Sequence, residues 1–174
     1  ELLRELDETY WTDINLYYNN EAFTAMARKP EMDGVVPYVL LDEPKVLVIG
    51  TGGGTDLAKA FGADAKKVVG VEINPDTVEL MKGRFADISG NVYNRADMYT
   101  MDGRTYVHMS DEKIDLINLM FAELYIAFPN SQVFIENYLY TAEAFDGYLS
   151  HLTDSGMLFI SKPLVMGDQI LMDQ

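Results

Sequence analysis

The stretch KVLVIGTGGGTDLAKAFG, Lys45 to Gly62, decides how the chain is read. The apolar run Val46 to Ile49 leads into four glycines within five positions, followed by an acid, Asp56. A short run that is apolar at every position is the mark of a strand buried on both faces. Glycine loses more freedom on folding than any other residue, so it clusters where the backbone needs positive φ or a neighbour must come close. Asp56 to Phe61 is predicted to be helical, with Gly62 closing the helix at the C′ position. A glycine turn between a buried strand and a helix is a common cradle for a nucleotide-like ligand.

Three glycine-rich patterns compete for that turn. A P-loop ends in Gly-Lys-Ser/Thr. Here Thr55-Asp56 follows Gly54, and Lys59 lies inside the helix. The dinucleotide fingerprint needs a third glycine at the sixth position, where Thr55 stands. A carboxylate at Asp56 would also repel a pyrophosphate seeking the same helix N-terminus. The third pattern is Gly-x-Gly-x-Gly at Gly50, Gly52 and Gly54, followed by an acid. It suits a ligand with no phosphate and a positive centre, such as S-adenosylmethionine (SAM) or decarboxylated SAM, each a sulfonium cation on an adenosine.

Beyond the turn, strands and helices alternate. Strands are predicted at Lys67 to Ile73, Asp97 to Met101, Ile114 to Leu119 and Met157 to Ser161. Asn74-Pro75-Asp76 is a helix start, an N-cap Asn followed by Pro at the first helical position, and Val78, Met81 and Phe85 follow at helical spacing. Arg104 to Met109 reads as a short helix. Thr141 caps another helix, whose apolar face is expected at Ala142, Phe145, Leu149 and Leu152, with a turn at Asp154-Ser155-Gly156. Short links between alternating elements imply an α/β, doubly wound, mainly parallel Rossmann-like sheet. In such a sheet the ligand lies across the carboxyl ends of the strands. Asp56 follows the first core strand, Glu72 ends the second and Asp102 follows the third, so all three acids are expected on the ligand side. Glu72, 22 residues after Gly50, stands where a carboxylate commonly holds ribose hydroxyls. Asp102 is placed to accept a hydrogen bond from an adenine amino group.

The first 44 residues are read as an N-terminal β-hairpin appendage and connector (1–44), ahead of a core over 45–174. Glu1 to Tyr10 reads as a short helix or linker. Ile14 to Tyr18 and Phe23 to Ala27 are the hairpin strands, with Asn19-Asn20 at the turn. Arg28 to Gly34 is a loop, and the apolar segment Val35 to Leu41 leads into the Asp42-Glu43-Pro44 break. The core is expected to be truncated after its fifth strand, or completed by another part of a longer parent.

Composition narrows the function. With 174 residues and 48% hydrophobic content, the chain can bury a real core. A net charge of −15 disfavours nucleic acid and would attract a cationic small molecule. There is no cysteine, so thiolate chemistry and disulfides are excluded. His108 and His151 lack a second ligand at metal spacing, so no metal is expected, and both read as surface or packing residues. The longest apolar run, Ile117 to Phe128, is broken by Asn118 and Glu123, short of the roughly 18 residues of a membrane span. No signal peptide is expected. A cytoplasmic setting is expected, with the soluble domain of a membrane protein as the other option.

The motifs VLVIGTGGGTDL, VVGVEINPDTVEL, DGRTY and KIDLINL resemble the SAM-dependent methyltransferase fold, and more narrowly its spermidine synthase (polyamine aminopropyltransferase) branch. The N-terminal hairpin fits that branch. ENYLYTAEAFDGYLSHLTDSGML is similar to the spermidine synthase-like domains of bacterial multi-pass membrane proteins. The resemblance spans about Tyr17 to Pro163. It implies that Gly50, Gly52 and Gly54 line the ligand, that Glu72 binds the ribose, that Asp102 and Gly103 contact the adenine, and that Ile73 packs on its face. It also implies an Asp after the fourth core strand that takes a proton from the attacking amine. Met120 stands at that position, and a thioether is no base. Glu123 is the candidate replacement; Tyr125, Glu136, Asn137 and Tyr138 belong to the same loop. The expected partners are a small-molecule substrate, an amine among the options, with a homodimer and attachment to a membrane-embedded parent segment also open. Two functions follow as alternatives: an alkyl transferase moving an aminopropyl or methyl group to an unknown acceptor, or a non-catalytic nucleoside-binding or structural module. A nicotinamide-dependent dehydrogenase is the third and weakest, lacking the third glycine.

Overall fold

Val46 to Ile49, apolar at every position, forms the centre of the sheet because both of its faces are covered. In the structure, a computed structural model, residues 14–18, 22–26, 36–120, 138–161, 164–166 and 169–171 are described. The strand β3 (Lys45–Ile49) lies between β4 (Lys67–Glu72) and β6 (Ile114–Met120). β5 (Asp97–Thr100) and β7 (Leu152–Ser161) complete a five-stranded sheet of order β5-β4-β3-β6-β7. Every pairing in it is parallel. Successive side chains of a strand point to opposite faces, so Val46, Val48 and Leu116 build one core with Leu57, Met81 and Tyr93. Leu47, Ile49, Ile117 and Leu119 build the other with Val107 and Tyr148. Each such side chain contributes about 1.5–3 kcal/mol on burial.

The helices α2 (Thr55–Gly62), α3 (Pro75–Lys82) and α4 (Val92–Arg95) supply the first core, and α5 (Gly103–Met109) and α6 (Ala142–His151) the second. The sheet is therefore wound on both faces: an α/β Rossmann-like fold. Strand order reverses between β3 and β6, and ligands of open α/β sheets bind outside the carboxyl ends at such a point.

Ahead of the sheet, β1 (Ile14–Tyr18) pairs antiparallel with β2 (Ala22–Met26), from Ile14 opposite Met26 to Tyr18 opposite Ala22. The hairpin matches the expectation, with the return strand starting one residue earlier. Its Asn19-Asn20 turn, the Glu1 to Tyr10 segment and the Arg28 to Gly34 loop lie outside the described residues. The connector holds one helical turn, α1 (Val36–Val39). A second hairpin, β8 (Leu164–Met166) with β9 (Gln169–Leu171), follows the sheet and was not expected from the sequence.

Four details depart from the sequence reading. α2 takes Gly62 in as its last residue: Ala63 N–H still donates to Lys59 O at 3.0 Å, and the positive φ falls on Asp64. α3 ends at Lys82, so Phe85 packs on the first core from the turn that follows. α6 is capped by Thr141 as predicted, whose hydroxyl accepts from Ala144 N–H at 3.2 Å. Its buried face, however, is Ala144 and Tyr148, while Leu149 is 57% exposed. Tyr148 donates its hydroxyl to Leu139 O at 3.1 Å, which satisfies the polar end of a buried ring and sets the rotation of the helix. Finally, Asp154-Ser155-Gly156 is a bulge within β7 rather than a turn before it. Pairing passes from Ile114 opposite Leu152 to Leu116 opposite Met157. A Cβ on Gly156 would lie 2.9 Å from Ile114 O, so glycine permits the close approach.

Asp115 fastens the amino ends of the strands, opposite the glycine turn. It accepts from Lys45 N–H at 2.9 Å and from the Thr153 hydroxyl at 2.9 Å, and pairs with Lys66 at 3.4 Å. Burial pushes its carboxyl up, but these partners outweigh burial and hold it below the ordinary range. A depressed carboxyl contributes stability that is present above its unfolded value, about 3.9, and is lost as pH falls through its folded value. Asp115→Asn should therefore lower stability by about 1–3 kcal/mol at neutral pH and flatten the loss of stability below about pH 4. Chemical denaturation across pH 2–7 checks this; an unchanged acid limb would exclude Asp115 as its source.

Candidate functional site

The glycine turn leaves β3 with three left-handed residues in alternation, Gly50 (φ 78), Gly52 (φ 44) and Gly54 (φ 84). Side chains other than glycine seldom adopt that region, so the Gly-x-Gly-x-Gly spacing answers a backbone need. Gly50 N–H donates to Val71 O at 2.8 Å, tying the turn to the neighbouring strand. Gly54 is the N-cap of α2, and a Cβ there would lie 2.9 Å from Val92 Cγ2.

Glu72, 7% exposed, ends β4 beside this turn. Its Oε2 accepts from Gly52 N–H at 2.9 Å and its Oε1 from Asn74 N–H at 3.0 Å. An ionised carboxylate has about four acceptor positions, so each oxygen keeps one for a further donor. The structure thus brings Glu72 and the Gly52 turn together. Asn74 caps α3, accepting from Asp76 N–H at 2.9 Å and Thr77 N–H at 3.4 Å. Between them Ile73 is 65% exposed, an apolar side chain standing in solvent at the edge of the site.

Asp102 lies one residue after Met101, whose N–H donates to Glu72 O at 3.1 Å. Its Oδ1 accepts from Thr105 N–H at 3.0 Å and caps α5. Gly103 is buried under the same turn; a Cβ there would strike Ile49 Cγ2, so its bare backbone lets α5 cross the end of β3. From Asp102 a groove of about 510 Å³ runs between α5 and α6, past His108, Tyr138 and His151.

Asp56 is placed differently. Its Oδ1 meets Lys59 Nζ at 3.3 Å, and the Asn118 amide also steadies its carboxylate. Burial pushes the carboxyl above the ordinary range, and Lys59 and Asn118 draw it back. Asn118 itself is fully buried on β6; its Nδ2 donates to Tyr38 Oη at 3.4 Å, and its Oδ1 has no hydrogen-bond partner. Burial raises the Tyr38 phenol well above its ordinary value. Met120 closes β6 opposite Ser161. Glu123, Tyr125, Glu136 and Asn137 lie outside the described residues.

Sequence reasoning missed two residues that hold the turn. Thr51, buried after Gly50, and Tyr93, fully buried on α4, place their hydroxyls 2.7 Å apart, and Tyr93 Oη donates to Gly52 O at 2.6 Å. Nothing in NVYNRAD marks that tyrosine, because its partners are 41 and 42 residues away. Asn118 carried a signal, a polar residue inside an apolar strand. The two histidines fit the packing reading: His151 sets its ring nitrogens 2.8 Å from Gly147 O and 2.6 Å from Ser110 O, and His108 is exposed. Among the described residues no group of three or more His, Cys, Asp and Glu could hold a metal ion, and no helix is long and apolar enough to cross a membrane.

Comparison with known proteins bears on the class. No family model matches the chain. It is 33% identical over 90 residues to a polyamine aminopropyltransferase of Thermoplasma volcanium, covering 50% of this chain and 33% of that protein. It is 34% identical over 91 residues to the polyamine aminopropyltransferase of Thermoplasma acidophilum, again covering 50% and 33%. The match thus spans about a third of the length of these curated relatives. Among solved structures it superposes on a spermidine synthase in complex with the transition-state analogue AdoDATO, with TM-score 0.58, 20% identity and coverage of 82% of this chain and 49% of that one. An rRNA methylase of Streptococcus thermophilus gives TM-score 0.52 at 20% identity, covering 78% and 72%. The fold is therefore the Rossmann-like fold that spermidine synthases share with methyltransferases.

Proposed function

We propose that the chain is a spermidine synthase-like transferase domain that binds SAM or decarboxylated SAM and passes an alkyl group to a small-molecule acceptor, an amine being the class that suits its charge. The observation that carries this reading is the Glu72 carboxylate, buried at the turn with two backbone N–H groups bound and acceptor positions left for two ribose hydroxyls. Ile73 would cover one adenine face, and Asp102, retaining one free oxygen after capping α5, would accept from the adenine amino group. The glycines let the nucleoside lie against the backbone. Core 45–174 would be the catalytic unit and 1–44 its appendage, in a cytoplasmic setting.

The reaction is a displacement at a carbon beside the sulfonium. The acceptor nitrogen forms the new bond to that carbon, the carbon–sulfur bond breaks, and its electron pair returns to sulfur, leaving a neutral thioether. The nitrogen then releases a proton. Alignment supplies most of the acceleration, and the proton needs a base. Met120 at the end of β6 offers none, so Glu123 is assigned that role. A second reading, a nucleoside-binding module without catalysis, is favoured by the same Met120.

Calorimetry with SAM, decarboxylated SAM and methylthioadenosine, followed by a turnover assay with putrescine, tests both. Binding with transfer supports the first reading. Binding without product favours the second, and no binding removes both.

A further inference from the structure

We propose that Tyr93 is the positioning residue of the nucleoside turn, acting on the ligand through Gly52 without touching it. The inference rests on the nucleoside reading above. Tyr93 stands on α4, fully buried, and donates its single phenolic proton to Gly52 O at 2.6 Å. A carbonyl can only accept, so the Thr51 hydroxyl, 2.7 Å away, is the donor to the phenol oxygen. On the other side of the same Cα, Gly52 N–H donates to Glu72 Oε2 at 2.9 Å. These two bonds hold different peptide groups, the one before Gly52 and the one after it. Together they fix both backbone torsions of a residue that, as glycine, would pass between left- and right-handed conformations at little cost.

The clamp has a direct consequence for the ligand. Glu72 is both one jaw of the clamp and the carboxylate assigned to the ribose. If the Tyr93 jaw opens, Gly52 rotates, its N–H leaves Glu72, and the carboxylate is no longer presented in a fixed orientation. Packing reinforces the arrangement, since a Cβ on Gly54 would lie 2.9 Å from Val92 Cγ2 and 3.4 Å from the Tyr93 ring. The first turn of α4 is therefore seated directly against the glycine turn.

Two variants separate positioning from plain stability. Tyr93→Phe removes the bond to Gly52 O and leaves the buried Thr51 hydroxyl without its acceptor, so it should lower both Tm and affinity for methylthioadenosine, the latter at least tenfold. Thr51→Val combined with Tyr93→Phe makes both members of the hydroxyl pair apolar, which can be nearly neutral for stability. The double variant should recover only the share of the Tm lost through the orphaned Thr51 hydroxyl, while its affinity stays at least tenfold weak, because Gly52 O remains unheld in both variants. Affinity that recovers together with Tm, or a Tyr93→Phe variant that binds like the wild type, overturns the inference and leaves the nucleoside reading intact. A wild-type chain that does not bind the probe overturns both.

Discussion

Glu72→Ala is expected to lower the stability of the ligand-free chain and to abolish most of its affinity for a nucleoside. The side chain accepts from Gly52 N–H and Asn74 N–H, and it is 7% exposed, so alanine leaves two backbone donors without their partner. Each unpaired donor costs about 1–3 kcal/mol where water cannot replace the acceptor. The loss should approach that for two donors, reduced by whatever water enters the space of the deleted side chain. Ribose hydroxyls would lose the same carboxylate, with a further penalty of about 1–3 kcal/mol in binding. Chemical denaturation reads the first effect and calorimetry the second. A variant that loses stability but binds as before would leave Glu72 as a brace of the turn and remove it from the ligand site.

Gly54→Ala should be nearly as costly. The residue sits at φ 84, where an L side chain is strained by about 1–3 kcal/mol. The added methyl would also lie 2.9 Å from Val92 Cγ2 and 3.4 Å from both Met81 Cε and the Tyr93 ring. Overpacking of this kind costs about 1–3 kcal/mol. Relief requires α4 to retreat from the turn, which would draw Tyr93 from Gly52 O and weaken nucleoside binding. A Gly54→Ala variant with wild-type Tm would contradict the left-handed conformation assigned to the turn.

Local signals were legible in the sequence. Val46 to Ile49 reads as a doubly buried strand because no position in it is polar, and Asn74-Pro75 reads as a helix start because capping and the proline ring act within one turn. That the glycine turn and Glu72 end neighbouring strands was legible, because in this architecture an acid commonly stands about 20 residues past the turn; the bond itself runs through Gly52 alone. What escaped was set by distant partners. The rotation of α6 follows Tyr148 and its bond to Leu139 O, so Leu149 faces solvent despite being apolar. Asp154-Ser155-Gly156 has turn composition, but β6 continues to pair on both sides of it. The contact of the Asp56 carboxylate with Asn118, 62 residues on, was equally hidden, while its ion pair with Lys59 is local. Tyr93 reaches the turn from 41 residues away, beyond any local pattern.

Where an adenosine settles on the sheet is decisive, and a crystal of the chain soaked with decarboxylated SAM or methylthioadenosine measures that directly. The predicted result is an adenosine lying across the carboxyl ends of β3, β4 and β5, with ribose hydroxyls within about 3.2 Å of the Glu72 carboxylate. An adenosine seated elsewhere, such as the groove between α5 and α6, with Glu72 bonded to Gly52 and Asn74 alone, would contradict it.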